Sequence, residues 1–145
     1  MVLNDILKKK GRLVRTITPD KTVKEAVDLL VEHNIGGLLV VEGGRPVGII
    51  TERDVLRLVS RGKERLETML VGEAMTVDLI IGMPDQEVEE TMAVMTEAHI
   101  RHLPVIEGDE IAGMISIGDL VKSMLHEQKA EITYLRDYIT GRRGL

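Results

Sequence analysis

The sequence predicts an α/β (α+β) protein made of two β-α-β-β-α repeats packed about a pseudo-two-fold axis, plus an extended C-terminal helix. Three observations predict it. The chain slides on itself by 65 residues without a gap. Within each copy, apolar runs of strand length alternate with apolar stripes at helical spacing. The last of those stripes runs on past the point where its partner in the first copy stops.

The repeat is read directly from the aligned segments. Thr18-Pro19-Asp20 meets Met83-Pro84-Asp85, and Asn34-Ile35-Gly36-Gly37-Leu38 meets His99-Ile100-Arg101-His102-Leu103. Gly48-Ile49-Ile50-Thr51-Glu52-Arg53-Asp54 meets Gly113-Met114-Ile115-Ser116-Ile117-Gly118-Asp119. Two copies are too few for a solenoid, which needs at least three, so a closed pair is the natural arrangement.

Each copy opens with a β-like stretch, residues 14–17 and 79–81, ended by a Pro-Asp turn. A helix follows, capped by Asp20 or Thr22, with Val23, Ala26, Val27, Leu30 and Val31 at helical spacing. In the second copy that stripe is Val88, Met92, Met95 and Thr96. Asn34 closes the first helix, because Asn tolerates the left-handed cap. Residues 37–41 and 47–51 read as two strands joined by Glu42-Gly43-Gly44-Arg45, a hairpin signal. The first is almost wholly apolar, as a strand buried on both faces must be. A second helix covers residues 52–61. Its counterpart runs from Asp119 through about Tyr138 with Leu120, Met124, Ile132, Leu135 and Ile139 as its stripe. A helix that outruns its module reads as a self-association element; the alternative is a helix folded back on its own module. The organisation is then an N-terminal segment (1–13), repeat one (14–65), repeat two (66–125) and a helical tail (126–145).

Composition narrows the function. The chain has 145 residues, no Cys, Phe or Trp, and two aromatic residues, Tyr134 and Tyr138. Ile, Leu, Val and Met must therefore fill the core, and the Met residues of the second copy read as filler. Without Cys there are no disulfides, no thiolate chemistry and no Cys-type zinc site. No apolar run approaches the roughly 18 residues a membrane span needs, and residues 1–12 do not read as a signal peptide. The cytoplasm is the expected compartment. A net charge of −5 disfavours nucleic acid, which needs a cationic face. Lys8-Lys9-Lys10 reads as a solvated run; the alternative is a phosphate or nucleic-acid contact. His99 and His102 are three apart but straddle a helix end and a strand start, and no carboxylate cluster joins them, so no metal is expected. No nucleophile–base–orienter set is readable, so the chain reads as a non-enzyme.

Two features carry chemistry. Thr51-x-x-Asp54 and Ser116-x-x-Asp119 each follow a strand and open a helix. The pattern is that of a capping box, which satisfies free amides at a helix start. The same geometry presents a hydroxyl and N–H groups to an anion and a carboxylate to the vicinal hydroxyls of a ribose. The two readings are compatible. The second feature is Arg101-His102, set against Gly36-Gly37 in the first copy. Basic groups stand in one copy and glycines in the other, which breaks the symmetry where a polyphosphate could lie; the alternative is a pair of solvated loop residues.

These residues resemble a known family. From about Arg12 to Leu125 the chain looks like a tandem pair of cystathionine-β-synthase (CBS) domains, a Bateman module. The resemblance rests on Pro19-Asp20 and Pro84-Asp85, on the two Gly-to-Asp segments at 48–54 and 113–119, on Arg-His-Leu-Pro-Val at 101–105, and on Val71-Gly72-Glu73-Ala74-Met75-Thr76. The tail at 134–139 is similar to that of small stand-alone members. The resemblance implies units packed through their sheets with two clefts between them, a homodimer, and adenosyl ligands: AMP, ADP, ATP, NAD or S-adenosylmethionine. Carried over position by position, it implies Asp54 and Asp119 on ribose, Thr51 and Ser116 on ribose or phosphate, Ile35 and Ile100 against adenine, and Arg101 and His102 on phosphate. The cleft expected to bind combines Ile35, Arg101, His102, Ser116 and Asp119. CBS pairs occur inside inosine monophosphate dehydrogenases, but this chain has no room for a barrel and no Cys for that enzyme's nucleophile. The expected function is a regulatory sensor of adenosyl ligands that signals to a partner. The rival is a structural homodimerisation module with empty or degenerate clefts.

Overall fold

The computed structural model describes residues 1–62 and 65–140. Residues 63–64 of repeat one and residues 141–145 of the tail lie outside it. In chain order the elements are α1 (Leu3–Lys10), β1 (Thr16–Ile17), α2 (Val23–His33), β2 (Gly37–Glu42), β3 (Arg45–Thr51), α3 (Glu52–Ser60), α4 (Val71–Ala74), α5 (Val88–Ala98), β4 (His102–Glu107), β5 (Glu110–Ser116) and α6 (Ile117–Thr140). One sheet has the order β1-β2-β3 and the other pairs β4 with β5. The mixed α+β fold of two repeats and a long final helix is the one the sequence predicts.

Local chemistry explains the boundaries. Thr22 caps α2 through a reciprocal box: its amide donates to Glu25 at 2.8 Å, and the Glu25 amide donates to the Thr22 hydroxyl at 3.1 Å. Asn34 and His99, 65 apart, end α2 and α5 in the left-handed region at φ 52° and 57°. Gly43 and Gly44 both have positive φ, so β2 and β3 are joined by a tight two-residue turn rather than the four-residue one expected. Both hairpins carry a register shift at the same place, between Val40 and Val41 and between Val105 and Ile106.

The first strand of the repeat differs between copies. β1 runs parallel to β2, and the Leu39 amide donates to the Arg15 carbonyl. In the second copy the stretch expected as β-like at 79–81 yields a single parallel bridge, Gly82 to Val105. The residue equivalent to Leu39 is Pro104, which has no N–H to give, so the ladder cannot extend.

Two apolar cores form, one per repeat, and each is closed by an arm that precedes the other repeat. The first core gathers Ile17, Val23, Leu30, Leu38, Ile50 and Leu58 with Val71 of α4. The second gathers Val88, Met95, Leu103, Val105, Ile115 and Leu120 with Leu3, Ile6 and Leu7 of α1. The exchange is symmetric bond for bond. The Val71 and Gly72 amides donate to the carbonyls of Lys21 and Pro19, while the Leu3 and Asn4 amides donate to those of Gln86 and Pro84. In return the Val23 amide donates to Met69, and that of Val88 to Met1. Glycine allows the close approach each time: a Cβ on Gly48 would meet Met75 Sδ at 2.6 Å, and one on Gly113 would meet a Leu7 methyl at 2.5 Å. The apolar residues of α1 fall at i, i+3 and i+4, one face of a helix, and burying each is worth about 1.5–3 kcal/mol.

Leu39 and Ile49 are paired in register and buried, yet stand outside the first core. They are on the opposite face of the sheet, so β2 is covered on both sides as its apolar run requires. α6 buries Leu120 and rests Met124 on the second core. Beyond that it presents Ile132, Tyr134, Leu135 and Ile139 at 49–81% exposure.

Candidate functional site

The capping reading of both Thr/Ser-x-x-Asp segments is realised. The Thr51 amide and hydroxyl donate to Asp54 Oδ2 at 2.9 and 3.1 Å. The Ser116 amide donates to Asp119 Oδ2 at 2.8 Å, and the Asp119 amide donates to the Ser116 hydroxyl at 3.1 Å. Part of the anion-binding capacity expected of these helix starts is used internally. The first amides, of Glu52 and Ile117, donate to the carbonyls of Gly36 and Arg101, again 65 residues apart.

Beyond the cap the two carboxylates diverge. Asp54 is 7% exposed; its second oxygen accepts from the Thr76 hydroxyl at 3.0 Å and lies 4.0 Å from the Arg57 guanidinium. Asp119 is half-buried and is held by Lys10, whose ammonium donates to Oδ2 at 2.6 Å and to the Met114 carbonyl at 2.8 Å. Burial pushes the Asp119 carboxyl up. The hydrogen bonds from Lys10 and Ser116, with the Lys10 charge, outweigh it and hold the group below its usual 3.8.

A cavity of about 530 Å³ lies where the repeats meet, within the range of small-molecule pockets. The first repeat supplies Asn34, Ile35, Gly36, Gly37 and Glu52; the second supplies Arg101, His102 and Ser116. Lys10, Val14 and Arg15 close it from the N-terminal side. The left-handed Asn34 turns the chain out of α2 so that Ile35 and the glycines line the wall. The imidazole of His102 lies against those glycines: a Cβ on Gly36 would stand 2.9 Å from it, and one on Gly37 3.3 Å. The glycines of one copy therefore make room for the histidine of the other. Burial, then Lys10 and Arg101, lower the His102 pKa below its usual 6.5 against the opposing pull of Glu52 and Asp119.

Four of the five residues expected to share a cleft thus line one cavity: Ile35, Arg101, His102 and Ser116. The fifth, Asp119, does not line it and sits behind Lys10. Of the other candidates, Thr51 and Asp54 are joined to each other at the start of α3, and Ile100 packs on the second core. Sequence reading missed Lys10, Arg15, Asn34 and Glu52. For Lys10 a signal existed: Leu3, Ile6 and Leu7 form a helical stripe ahead of the lysines, which makes Lys8–Lys10 the basic last turn of a packed helix. Read as a solvated run, Lys10 was lost. Arg15 carries no such signal, since its counterpart is Ile80. Three cations face one acid across this cavity, in a chain whose net charge is −5.

The family model described as "CBS domain" matches residues 11–61 and 71–126. Among curated proteins, the mitochondrial CBS domain-containing protein CBSX3 of Arabidopsis thaliana is 40% identical, over 96% of this chain and 72% of its own. Among solved structures, the CBS-domain containing protein ATU1752 from Agrobacterium tumefaciens superposes with a TM-score of 0.83 at 36% identity, over 86% of this chain and 99% of that one. The CBS domain pair of protein MJ0100, solved in complex with 5′-methylthioadenosine and S-adenosyl-L-methionine, superposes with a TM-score of 0.78 at 25% identity, over 88% and 98% of the two chains. No described helix is long and apolar enough to cross a membrane.

Proposed function

The chain belongs to the CBS domain family as a tandem pair, and from that premise we propose that it is a non-enzymatic regulatory module binding an adenosyl ligand in the cleft between its repeats. AMP, ADP, ATP and NAD are the candidate ligands, and a target protein reads the occupancy. The observation that carries this reading is the cavity of about 530 Å³ built jointly by both repeats and lined by Arg15, Arg101, His102 and Ser116. A ligand seated there touches both copies, so its affinity depends on how they are set relative to one another, and its binding biases that setting. The MJ0100 pair, solved with two adenosyl compounds, adds support from a protein of the same fold. Ile35 would face the base, Arg101 and His102 the phosphate, and Ser116 the sugar or phosphate. We assign one cleft rather than two, because Asp54 spends both oxygens on Thr51 and Thr76. That same saturation favours the rival reading, a structural module whose clefts take no ligand. The module pairs through the exposed apolar face of α6 and works in the cytoplasm.

Calorimetric titration of the chain with AMP, ADP, ATP, NAD and S-adenosylmethionine tests the sensor. At least one is expected to bind in the micromolar range, with Arg101→Ala weakening it about tenfold, the loss of one charge-assisted contact. Absence of heat and of thermal shift with all five would sink the sensor and leave the structural module. In parallel, light scattering on the chain ended at Gln128 is expected to report half the mass of the full chain.

A further inference from the structure

Lys10 stands between two cavities. On one side is the inter-repeat cleft. On the other is a groove of about 330 Å³ between α1 and α6, lined by Asp5, Ile6, Lys9, Asp119 and Lys122. Lys10 lines both, whereas Asp119 lines the groove and not the cleft. Lys10 is therefore the side chain that joins the carboxylate to the wall of the cleft. It also takes the carboxylate's charge: Oδ2 already accepts from the Ser116 amide at 2.8 Å and from Lys10 at 2.6 Å. A ribose arriving in the cleft meets a cation where the family pattern would offer it an acceptor.

This link is movable. The Lys10 and Asp119 side chains are 38% and 24% exposed, and ion pairs that wet are weak. The lysine stem is flexible and its ammonium is a point charge that follows the nearest strong anion. A phosphate in the cleft would be such an anion, in reach of the same three cations, Lys10, Arg15 and Arg101.

Resting on the reading of the cleft given above, we infer that Lys10 is a phosphate-operated latch on Asp119. A phosphorylated adenosyl ligand draws the ammonium into the cleft, and the carboxylate it uncovers receives the two ribose hydroxyls. An adenosyl ligand with no anionic group gives the ammonium no alternative partner and meets the latch closed. The ligand class is thereby narrowed to adenosyl compounds that carry phosphate, over adenosine. The specificity resides in α1, outside both Thr/Ser-x-x-Asp segments.

The test is calorimetry with ADP and adenosine on the native chain and on Lys10→Met, with thermal unfolding of both as a check on the fold. The native chain is expected to prefer ADP by tenfold or more, roughly what one charge-assisted contact supplies. Lys10→Met is expected to bind ADP about tenfold more weakly and adenosine several-fold more tightly, since the carboxylate is now uncovered. Opposite signs are the mark of a latch. If adenosine is unaffected, Lys10 merely contacts phosphate; if both ligands weaken together, it is merely structural; either overturns the inference. Equal affinity of the native chain for ADP and adenosine also overturns it while leaving the cleft reading intact. No binding of ADP or adenosine to the native chain overturns the latch, and the cleft reading falls with it if AMP, ATP, NAD and S-adenosylmethionine give no heat either.

Discussion

Asp54 and Asp119 hold the same place in the two repeats, begin the same kind of helix, and accept from the same kind of cap. They differ in their third partner. Asp54 meets the Thr76 hydroxyl, from the end of the α4 arm, and is buried. Asp119 meets the Lys10 ammonium, from the end of the α1 arm, and is half-exposed beside a cavity. A neutral hydroxyl closes one site; a part-exposed cation covers the other. The duplicated motif therefore supplies scaffold in both copies, and the exchanged arm decides whether its carboxylate is structural or available. Gly36-Gly37 and Arg101-His102 repeat the lesson. They differ because they meet: the glycines of one copy seat the imidazole of the other.

The strongest way to break this comparison is to delete each carboxylate in turn. Asp54→Ala takes a buried acceptor away from the Thr51 amide and the Thr76 hydroxyl, and about 2 kcal/mol of unfolding free energy is expected to be lost, against about 1 kcal/mol or less for Asp119→Ala. Urea denaturation of the two variants measures it, and equal losses would erase the distinction between them. A smaller effect tests the seating of His102. Gly36→Arg makes the first copy resemble the second, and its Cβ must displace the imidazole or Glu52 Oε1, which lie 2.9 and 3.2 Å from it. A cost of about 1–2 kcal/mol is expected, typical of overpacking a filled site. Nucleotide affinity should fall with it in the calorimeter. Unchanged stability and affinity would show that the glycines do not serve the histidine.

The smallest effect is a pH dependence. Folding depresses the His102 pKa, chiefly through burial. As pH falls through the unfolded value near 6.5, the unfolded chain takes the proton first, so stability present above that pH is lost on the way down to the folded value. His102→Gln is expected to flatten the fall in thermal midpoint between about pH 7 and pH 5 relative to the native chain. An identical slope in the variant would place the titrating group elsewhere.

The fold was legible because its signals are local. The 65-residue offset, the helical stripes, the left-handed Asn34 and the Gly43-Gly44 turn are all set by neighbours in sequence. The cleft was legible as far as the motif and the resemblance reach, and Ile35, Arg101, His102 and Ser116 do line one cavity. What escaped was everything decided across the chain. Pro104 breaks the second parallel ladder because of its missing N–H, a fact visible in the sequence but meaningful only once Leu39 is seen donating to Arg15. Lys10 is some 109 positions from Asp119, and no periodicity or spacing links residues so far apart. The swap of arms itself has no sequence signal: α1 looks as though it should rest on the repeat it precedes.

That swap also imposes an order of events on synthesis. Repeat one and its arm α4 are complete once residue 76 or so has been made, so this half can close its core early. α1 is made before either repeat, but its partners Leu103, Ile115 and Leu120 come more than ninety positions later. At ~5–20 residues per second, on the order of 5–20 s pass before they exist. Throughout that interval Leu3, Ile6 and Leu7 have nowhere to go. The helix that later carries Lys10 to Asp119 is, while the chain is growing, an exposed greasy segment, and the cleft, which needs both repeats, is the last feature to be assembled.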